Sequence, residues 1–480
     1  MQRTAIKQET SDYSEEAEPN TRVTARRNRE LRIREILDVA RQVFQEDGYA
    51  GFATRRVADR VGITLGNLQY YFRTKEELLR AALLAFMCQT IENYAAIASQ
   101  SNISAIRRCS TLVERIFQDI SQTDLPKFLV EVWAFAQHEP YATELVDDMC
   151  AKYRSVFARL VSDLHPNMPS KECLARASVI VAKFDGMVLL TSRGEYPEKD
   201  YTEFVRVTKR AVKMIVGMSG QPQDSENSLQ GSHTPHVGDT NDAHVGLFGS
   251  DRDNHSEHLD LRNLQATQAS LYYRPTIQGK RREIKVNEIL STAVNLLATE
   301  GYANFTLVRV AKELGILTSA LRNYFPTHDD LLRSTIGALG KIYLDRYTDM
   351  GKPSAKSALD RLCEIAEDVF EAARDPKECR LWFEMYALAQ HSDVARELVR
   401  NVYIIYRGIC ADLVREIDST ASARECLARA TLITAQADGA GILMFGASEQ
   451  SLDVDRVFEL MMTMTIRIAH GKIATNDAVQ

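Results

Sequence analysis

The chain has 480 residues, of which 45% are apolar and 26% charged, a composition typical of globular proteins and a length that suits about two to four domains. No apolar run reaches about 18 residues, so we expect no membrane span. Residues 1–20 are polar and acidic and lack the apolar stretch of a signal peptide, which predicts a cytoplasmic protein.

The net charge of −6 is unevenly distributed along the chain. Residues 22–80 contain 13 Lys and Arg against 8 Asp and Glu, and residues 274–333 contain 9 against 6. The two segments therefore carry +5 and +3, which leaves −14 for the rest of the chain. Two basic segments on an acidic body favour the binding of phosphates at two places.

Several classes of function lack their motifs here. The sequence contains no phosphate-binding glycine loop, no HExxH or GxSxG motif and no paired Glu-x-x-His pattern. Its eight cysteines form no Cys-x-x-Cys pair and mostly lie among aliphatic residues, as buried reduced thiols do. We therefore expect a protein that is not an enzyme and that holds neither a cofactor nor a metal.

The sequence repeats itself at an offset of 253 residues. Residues 29–80 and 282–333 are identical at 22 of 52 positions, and the hexapeptide ECLARA of 172–177 recurs at 425–430. A constant offset over about 150 residues indicates duplication of a whole unit rather than a shared short motif.

Each unit begins with an amphipathic helix. Apolar residues recur three and four positions apart on one helical face, at Ile33, Ile36, Leu37, Ala40, Val43 and Phe44 in the first unit and at Val286, Ile289, Leu290, Ala293, Leu296 and Leu297 in the second. Gly48 and Gly301 follow one turn later, where a residue of positive φ commonly ends a helix.

Two shorter helices follow in each unit, over about 54–61 and 65–72 in the first. Two helices that cross at ~90–120° need a small residue at the crossing and often a glycine in the turn. Ala58 and Gly62 meet this requirement in the first unit, and Ala311 and Gly315 meet it in the second. The spacing therefore predicts two helix-turn-helix modules.

The stretch from Gly62 to Phe72, GITLGNLQYYF, and the RTKEELL that follows it resemble the signature of the TetR family of bacterial regulators. The second copy, from Gly315 to Leu332, is similar but more divergent. The resemblance implies an all-α fold of two tandem units. In each unit the N-terminal helices would bind DNA, and a helical bundle would hold a ligand pocket and a dimer interface.

These patterns predict six segments: an arm at 1–27, a first DNA-binding domain at 28–76, a first regulatory domain at 77–217, a linker at 218–274, a second DNA-binding domain at 275–329 and a second regulatory domain at 330–474. The linker is rich in Ser, Gly, Asn and Asp, and its five histidines match no metal-ligand spacing. Its composition favours a flexible linker over a metal site.

The third helix of each module is expected to lie in the major groove. The predicted DNA contacts are Thr54, Arg55, Thr64, Leu65, Gly66, Asn67, Gln69, Tyr70, Tyr71 and Lys75 in the first unit, and Leu317, Thr318, Ser319, Ala320, Arg322, Asn323 and Tyr324 in the second. Asn67 and Gln69 suit adenine, whereas Tyr70, Tyr71 and Lys75 suit phosphates. Tyr71 is equally compatible with a core position.

The resemblance also implies a ligand pocket and a dimer interface downstream. The predicted pocket residues are Trp133, Phe135, His138, Tyr386 and His391, although aromatic clusters in helices are more often core. The predicted interface residues are Asp185, Gly186, Asp438 and Gly439, because glycine allows two helices to approach closely.

The sequence thus predicts a transcriptional regulator whose partners are a double-stranded DNA operator and an unknown small-molecule inducer. Repression is the action that the resemblance implies. Two assemblies are open: a single-chain pseudodimer with two different DNA-reading heads, or a homodimer of chains in which only the first head reads DNA. The alternative function is a helical sensor or protein-interaction scaffold in which one or both DNA-binding modules have lost DNA binding.

Overall fold

A computed structural model describes residues 18–191, 198–217, 279–444 and 452–471. The described residues of the first half form nine helices: α1 (Glu18–Gly51), α2 (Thr54–Val61), α3 (Leu65–Tyr71), α4 (Lys75–Ala98), α5 (Ala105–Gln122), α6 (Leu125–Phe135), α7 (Pro140–Leu164), α8 (Ser170–Thr191) and α9 (Glu198–Gly217). Helix α1 begins inside the range expected to be an arm, and the expected linker at 218–274 lies outside the described residues.

The second half repeats this order. Its helices are α10 (Lys280–Glu300), a short 3₁₀ helix (Tyr302–Asn304), α11 (Leu307–Glu313), α12 (Thr318–Arg322), α13 (His328–Gly351), α14 (Ala358–Arg374), α15 (Pro376–His391), α16 (Asp393–Ile417), α17 (Ala423–Asp438), α18 (Ala440–Leu443) and α19 (Val454–Ala469). The described residues contain no strand. The prediction of an all-α fold with two tandem units is confirmed.

The chain divides into two compact units, Met1–Gln89 and Thr90–Gln480. The first contains α1, α2, α3 and the start of α4. Its core consists of the apolar face of α1 together with one residue or more from each following helix, at Ile36, Ala40, Val43, Phe44, Val57, Ala58, Leu68, Leu78 and Leu79. The α1 residues among them belong to the face that the helical periodicity predicts, and their burial determines how α2, α3 and the start of α4 pack against α1.

The turn between α2 and α3 depends on a glycine. Gly62 has φ of 73° and ψ of 32°, the left-handed conformation that costs other residues energy because of their Cβ atom. Its backbone N–H donates to the carbonyl of Asp59. The second module repeats this geometry at Gly315, with φ of 65°. The predicted helix-turn-helix backbone is therefore present in both copies of the repeat.

Helix α4 is the one described helix that is long and apolar enough to cross a membrane, judged by length and composition. Its first turns, however, contribute Leu78, Leu79 and Leu83 to the buried core of the first module. An apolar helix is also required where a helical domain completes its core. The composition of α4 is therefore weak evidence that it crosses a membrane.

Within the second compact unit, α8 packs mainly against α7 and α17, and α17 packs against α16, α9 and α8. At the crossing of α8 with α17, a Cβ atom added to Gly186 would lie 1.7 Å from the carbonyl oxygen of Ala435. A Cβ atom added to Gly439 would lie 1.9 Å from the carbonyl oxygen of Ala182. The two halves therefore meet backbone against backbone.

Replacing either of these glycines should destabilise the protein. In Gly186→Ala and Gly439→Ala, the new methyl group overlaps backbone atoms that cannot rotate away, so the helices must separate. We expect each variant to lose at least ~1–3 kcal/mol of stability, the usual cost of overpacking. Thermal unfolding followed by circular dichroism measures this loss.

Gly408 in α16 is the matched control, because a Cβ atom there meets nothing within 4 Å. Gly408→Ala should leave stability unchanged or raise it by about 0.5–1 kcal/mol, since alanine favours the helix. If the two crossing variants unfolded at the same temperature as Gly408→Ala, the close contact described here would be wrong.

Candidate DNA interface and ligand cavity

The surface of α3 divides into a buried and an exposed side. Leu68 and Phe72 are buried and anchor the helix to the first module. Thr64 caps the helix, because its hydroxyl oxygen accepts a hydrogen bond from the backbone N–H of Asn67 at 3.1 Å. The cap uses only the backbone of Asn67, so the amide side chain of this residue stays available to a ligand.

Most of the predicted contact residues of the first head face solvent. Arg55, Thr64, Gly66, Asn67, Gln69, Tyr70 and Lys75 are exposed, whereas Thr54, Leu65 and Tyr71 are partly buried. Tyr70 is 71% exposed, and the guanidinium of Arg29 lies 6.0 Å from the centre of its ring. A large aromatic ring that is exposed next to an arginine is more favourable in contact with a phosphate backbone than in contact with water.

The second head has a shorter third helix. Helix α12 has five residues against the seven of α3, and Leu317 stands at its N-cap without a capping side chain. The exposed residues among its predicted contacts are Leu317, Ser319, Arg322 and Asn323, and Thr318, Ala320 and Tyr324 are partly buried. Arg282 stacks over the ring of Tyr324 at 4.7 Å. The exposed faces of the two heads therefore differ in chemistry, whereas the buried Leu321 and Phe325 repeat Leu68 and Phe72.

A cavity of about 90 Å³ lies in the second half. One water needs roughly 10–15 Å³ by the same measure, so the space admits a small organic molecule. Seven aromatic residues line it: Tyr343 and Tyr347 on α13, Trp382, Phe383 and Tyr386 on α15, and Tyr403 and Tyr406 on α16. We call the six Tyr and Trp residues among them the aromatic cage.

The rings of the cage support one another. Tyr343 and Trp382 have ring centres 4.9 Å apart, and Tyr347 stacks on Tyr406 at the same distance. The hydroxyl of Tyr403 is hydrogen-bonded to that of Thr434 at 2.7 Å, which fixes its ring. The cage is therefore held in position by its own contacts and does not have to form around a ligand.

The charge next to the cage is negative. Asp438 lines the cavity, and the hydroxyl of Tyr343 donates to Glu378 at 3.2 Å. Burial, followed by the nearby charges of Asp368 and Asp438, raises the pKa of Tyr347 well above its usual value. The phenol groups thus stay neutral at physiological pH, and the carboxylates favour a cation in the cavity.

The equivalent region of the first half is filled. Phe184 stands where the second half has Ala437, and it stacks on Phe157 with ring centres 5.9 Å apart. Phe184 is 1% exposed and also contacts Phe117 edge to face. Three cage rings are absent at this place, because Thr90, Leu129 and Cys150 replace Tyr343, Trp382 and Tyr403. The duplicated units therefore differ in the space they enclose.

Of the five residues predicted to bind a ligand, Tyr386 lines the cavity. Trp133 is 2% exposed and packs against Phe383 of the other half, and Phe135 contacts Tyr141. His138 and His391 lie at the contact between the halves and not in the lining of the cavity.

The two histidines make reciprocal hydrogen bonds with glutamates of the other half. His138 Nε2 lies 2.7 Å from Glu384 Oε1, and His391 Nε2 lies 2.8 Å from Glu131 Oε1. Both glutamates are fully buried. Glu384 also accepts a hydrogen bond from the backbone N–H of Tyr302 at 2.6 Å. Helix α15 therefore connects the cage, the other half and the second head.

The four predicted interface residues have two kinds of surroundings. Gly186 and Gly439 form the backbone contact described above. Asp185 is buried near Arg154, and burial raises the pKa of its carboxyl group to about 8 although the arginine opposes this shift. Asp438 lies in the cavity wall.

Sequence reasoning missed most of the cage. Its signal was present in the repeat, since Tyr343 and Tyr403 are tyrosines where the first unit has Thr90 and Cys150. Aromatic residues gained in one copy only would have indicated a cavity in that copy. Among the described residues, no group of three or more His, Cys, Asp or Glu side chains could hold a metal ion.

Comparison with protein families identifies the modules. Residues 36–82 and 289–335 each match the model of bacterial regulatory proteins of the TetR family, and residues 358–469 match the C-terminal domain of BetI-type transcriptional repressors. The chain belongs to the TetR family. Its TetR unit is duplicated in tandem, and the family is one of transcriptional regulators that bind DNA rather than of enzymes.

Similar proteins match one unit of this TetR-family chain. The HTH-type transcriptional regulator BetI of Escherichia coli strain UMN026 is 24% identical over 163 residues, which cover 33% of this chain and 81% of that protein. BetI of Burkholderia thailandensis is 26% identical over 166 residues, covering 34% and 82%. A transcriptional regulator from Saccharomonospora viridis, crystallised with choline, is 23% identical with a TM-score of 0.32, covering 37% of this chain and 94% of its own.

Alanine substitutions on α3 and at the start of α4 should separate the residues that position the module on DNA from those that read its sequence. Tyr70→Ala and Lys75→Ala are expected to weaken binding to all DNA sequences and to reduce its salt dependence, because phosphate contacts release counterions. Asn67→Ala and Gln69→Ala should cost about 1–3 kcal/mol on the preferred site and little on random DNA. Fluorescence anisotropy with both DNAs at several salt concentrations measures these effects.

All four side chains are exposed, so the substitutions leave the buried core of the module intact. Equal losses on specific and random DNA for all four variants would contradict the assignment.

Proposed function

We propose that the protein is a ligand-responsive, sequence-specific transcriptional repressor that acts as a single-chain pseudodimer with two different DNA-reading heads. The observation that carries the proposal is the reciprocal contact between the halves. His138 with Glu384 and His391 with Glu131 are the same pair of residues related by the 253-residue offset. Reciprocal pairs are what a twofold interface between two subunits produces.

Repression is supported by the match of residues 358–469 to the C-terminal domain of BetI-type repressors. A repressor of this kind would bind its operator in the cytoplasm, without association with a membrane. A ligand would release the operator by binding more tightly to the state that cannot bind DNA.

The covalent connection between the halves favours the pseudodimer over a dimer of chains. Joining two partners in one chain raises their effective concentration to about the millimolar range. The four helices that meet, α8, α9, α17 and α19, already pack against one another within one chain. A second chain would have to displace these contacts to pair in the same way.

The pseudodimer predicts the mass and the operator. The purified protein should have a mass of 54.1 kDa in solution by light scattering, because its dimer interface is already occupied. Selection from random DNA should return an asymmetric site, since the exposed residues of the two heads differ.

A species of twice this mass on a palindromic site would support the other assembly, in which two chains pair and only the first head reads DNA. The specific observation that favours this alternative is the short α12, with its uncapped N-terminus and the 76% exposed Leu317.

The chemistry of the cavity favours an organic cation, and most of all a quaternary ammonium ion, as the ligand. Such an ion cannot donate N–H hydrogen bonds, and the faces of Trp and Tyr rings attract it by about 2 kcal/mol or more when water is excluded. The aromatic cage offers six rings, and Asp438 supplies a negative charge. The filled first half suggests a single ligand for each chain.

Titration with choline tests this ligand class and its stoichiometry. Isothermal titration of the whole chain should give one site, and 3,3-dimethylbutanol, the neutral isostere of choline, should bind at least about tenfold more weakly because it lacks the charge. Ala437→Phe, which introduces the residue of the first half, should abolish binding by filling the cavity.

Phe184→Ala is the reciprocal control, because it opens the filled half and leaves the cage unchanged. Choline should bind this variant at the cage as it binds the natural chain. Two equivalent sites in the natural chain, or unchanged binding in Ala437→Phe, would contradict the assignment of the cage.

A further inference from the structure

The contact between the halves has positions that lie on its twofold axis. The offset of 253 relates each residue of the first half to its equivalent in the second. A residue that contacts its own equivalent must therefore lie on the axis. Hydrogen bonds of this kind join Lys183 with Gln436 and Arg467 with Met214.

Lys183 and Gln436 are both fully buried. The ammonium group of Lys183 donates to the amide oxygen of Gln436, and the amide nitrogen of Gln436 donates to the carbonyl of Met461 at 2.8 Å and to the hydroxyl of Thr465. Burial lowers the pKa of the Lys183 amine well below its usual value. The buried Lys183 is thus satisfied by two neutral acceptors, the amide oxygen of Gln436 across the axis and the carbonyl of Val179 in its own helix at 3.5 Å.

The second axial contact joins unlike residues as well. The guanidinium of Arg467 lies 3.4 Å from the sulfur of Met214, and both side chains are partly buried. Away from the axis, Arg456 donates to Glu172 at 3.0 Å. At the reciprocal place the first half has Glu203, and its partner Arg206 also lies 3.9 Å from Glu425. The two axial contacts each join residues that differ in charge between the halves.

We infer that these residues make the interface selective for the opposite half, so that each half rejects a second copy of itself. The partner that the surface fits is an unlike half, and the inference rests on the proposed pseudodimer. Pairing of two first halves would place two Lys183 side chains in one buried space. Pairing of two second halves would bring two Arg467 side chains together.

The energetic basis is the cost of burying like charges. In a buried space a second amine loses the amide oxygen that faces Lys183, so the two amines must lose protons or repel each other. Two glutamines at the same place can hydrogen-bond to each other, because an amide has both donors and an acceptor. Lys183 therefore disfavours pairs of first halves. Pairs of second halves are disfavoured instead by the two Arg467 side chains that they would bring together.

Substitutions at the axis of the intact chain reproduce the rejected pairings. Gln436→Lys creates the two-lysine axis of a pair of first halves, and Lys183→Gln creates the two-glutamine axis of a pair of second halves. The double variant Lys183→Gln/Gln436→Lys restores one lysine and one glutamine with their positions exchanged. Thermal unfolding and light scattering of the three variants and the natural chain form the test.

We expect Gln436→Lys to lower the melting temperature by about 10 °C, and Lys183→Gln to stay within about 3 °C of the natural chain. The double variant should recover most of the loss. This recovery cannot come from the bonds of Gln436 to Met461 and Thr465, because the double variant lacks that glutamine too. If Gln436→Lys fails to fold, the recovery of a folded double variant remains the decisive result.

Equal melting temperatures for Gln436→Lys and Lys183→Gln, or a double variant as unstable as Gln436→Lys, would overturn the inference. These outcomes are distinct from failure of the proposed function. A natural chain that forms dimers of twice the 54.1 kDa mass would contradict the pseudodimer, whatever the variants do.

Discussion

The contact of α8 with α17 is the constraint on which the second compact unit depends. At Gly186 and Gly439 the two helices approach until no side chain fits between their backbones. This closeness brings the neighbouring Lys183 and Gln436 together, and it places Asp438 at the end of α17 in the wall of the cavity. Leu189 of the first half also lines that cavity, so a ligand would touch residues of both halves.

The two halves use one fold for different purposes. In the first, phenylalanines fill the interior, and Phe184 packs between Phe117 and Phe157. In the second, small residues such as Ala437 leave space, and tyrosines surround it. A densely packed half gives a rigid support, whereas an open half gives a place where binding can change the packing. Helix α15 joins this place to the second head through Glu384 and Tyr302.

The sequence alone predicts the helices well, because the apolar face of α1 and the turn at Gly62 follow local rules of periodicity and backbone conformation. It also predicts which buried residues the two heads share, since Leu68 and Leu321 keep the same place in the repeat. The cage could not be predicted in this way. Its rings come from three different helices, and only the packing of these helices brings Tyr343, Trp382 and Tyr406 together.

The histidines show the same limit. His138 and His391 are polar residues in an aromatic segment and recur in the repeat, as ligand-binding residues would. Their partners, however, are glutamates about 250 positions away along the chain. Nothing local to either histidine indicates that partner. A buried carboxylate in an apolar helix, such as Glu131 or Glu384, is the better signal, because such a group needs a partner of its own.

Fusion of the two units changes what a single mutation does. In a dimer of identical chains every substitution appears twice, so an interface residue must be compatible with its own copy. In this chain Lys183 and Gln436 are separate codons, and each can change while the other stays. In the proposed pseudodimer, duplication therefore frees the axis from self-complementarity, and it would equally let one head acquire a new half-site while the other keeps the old one.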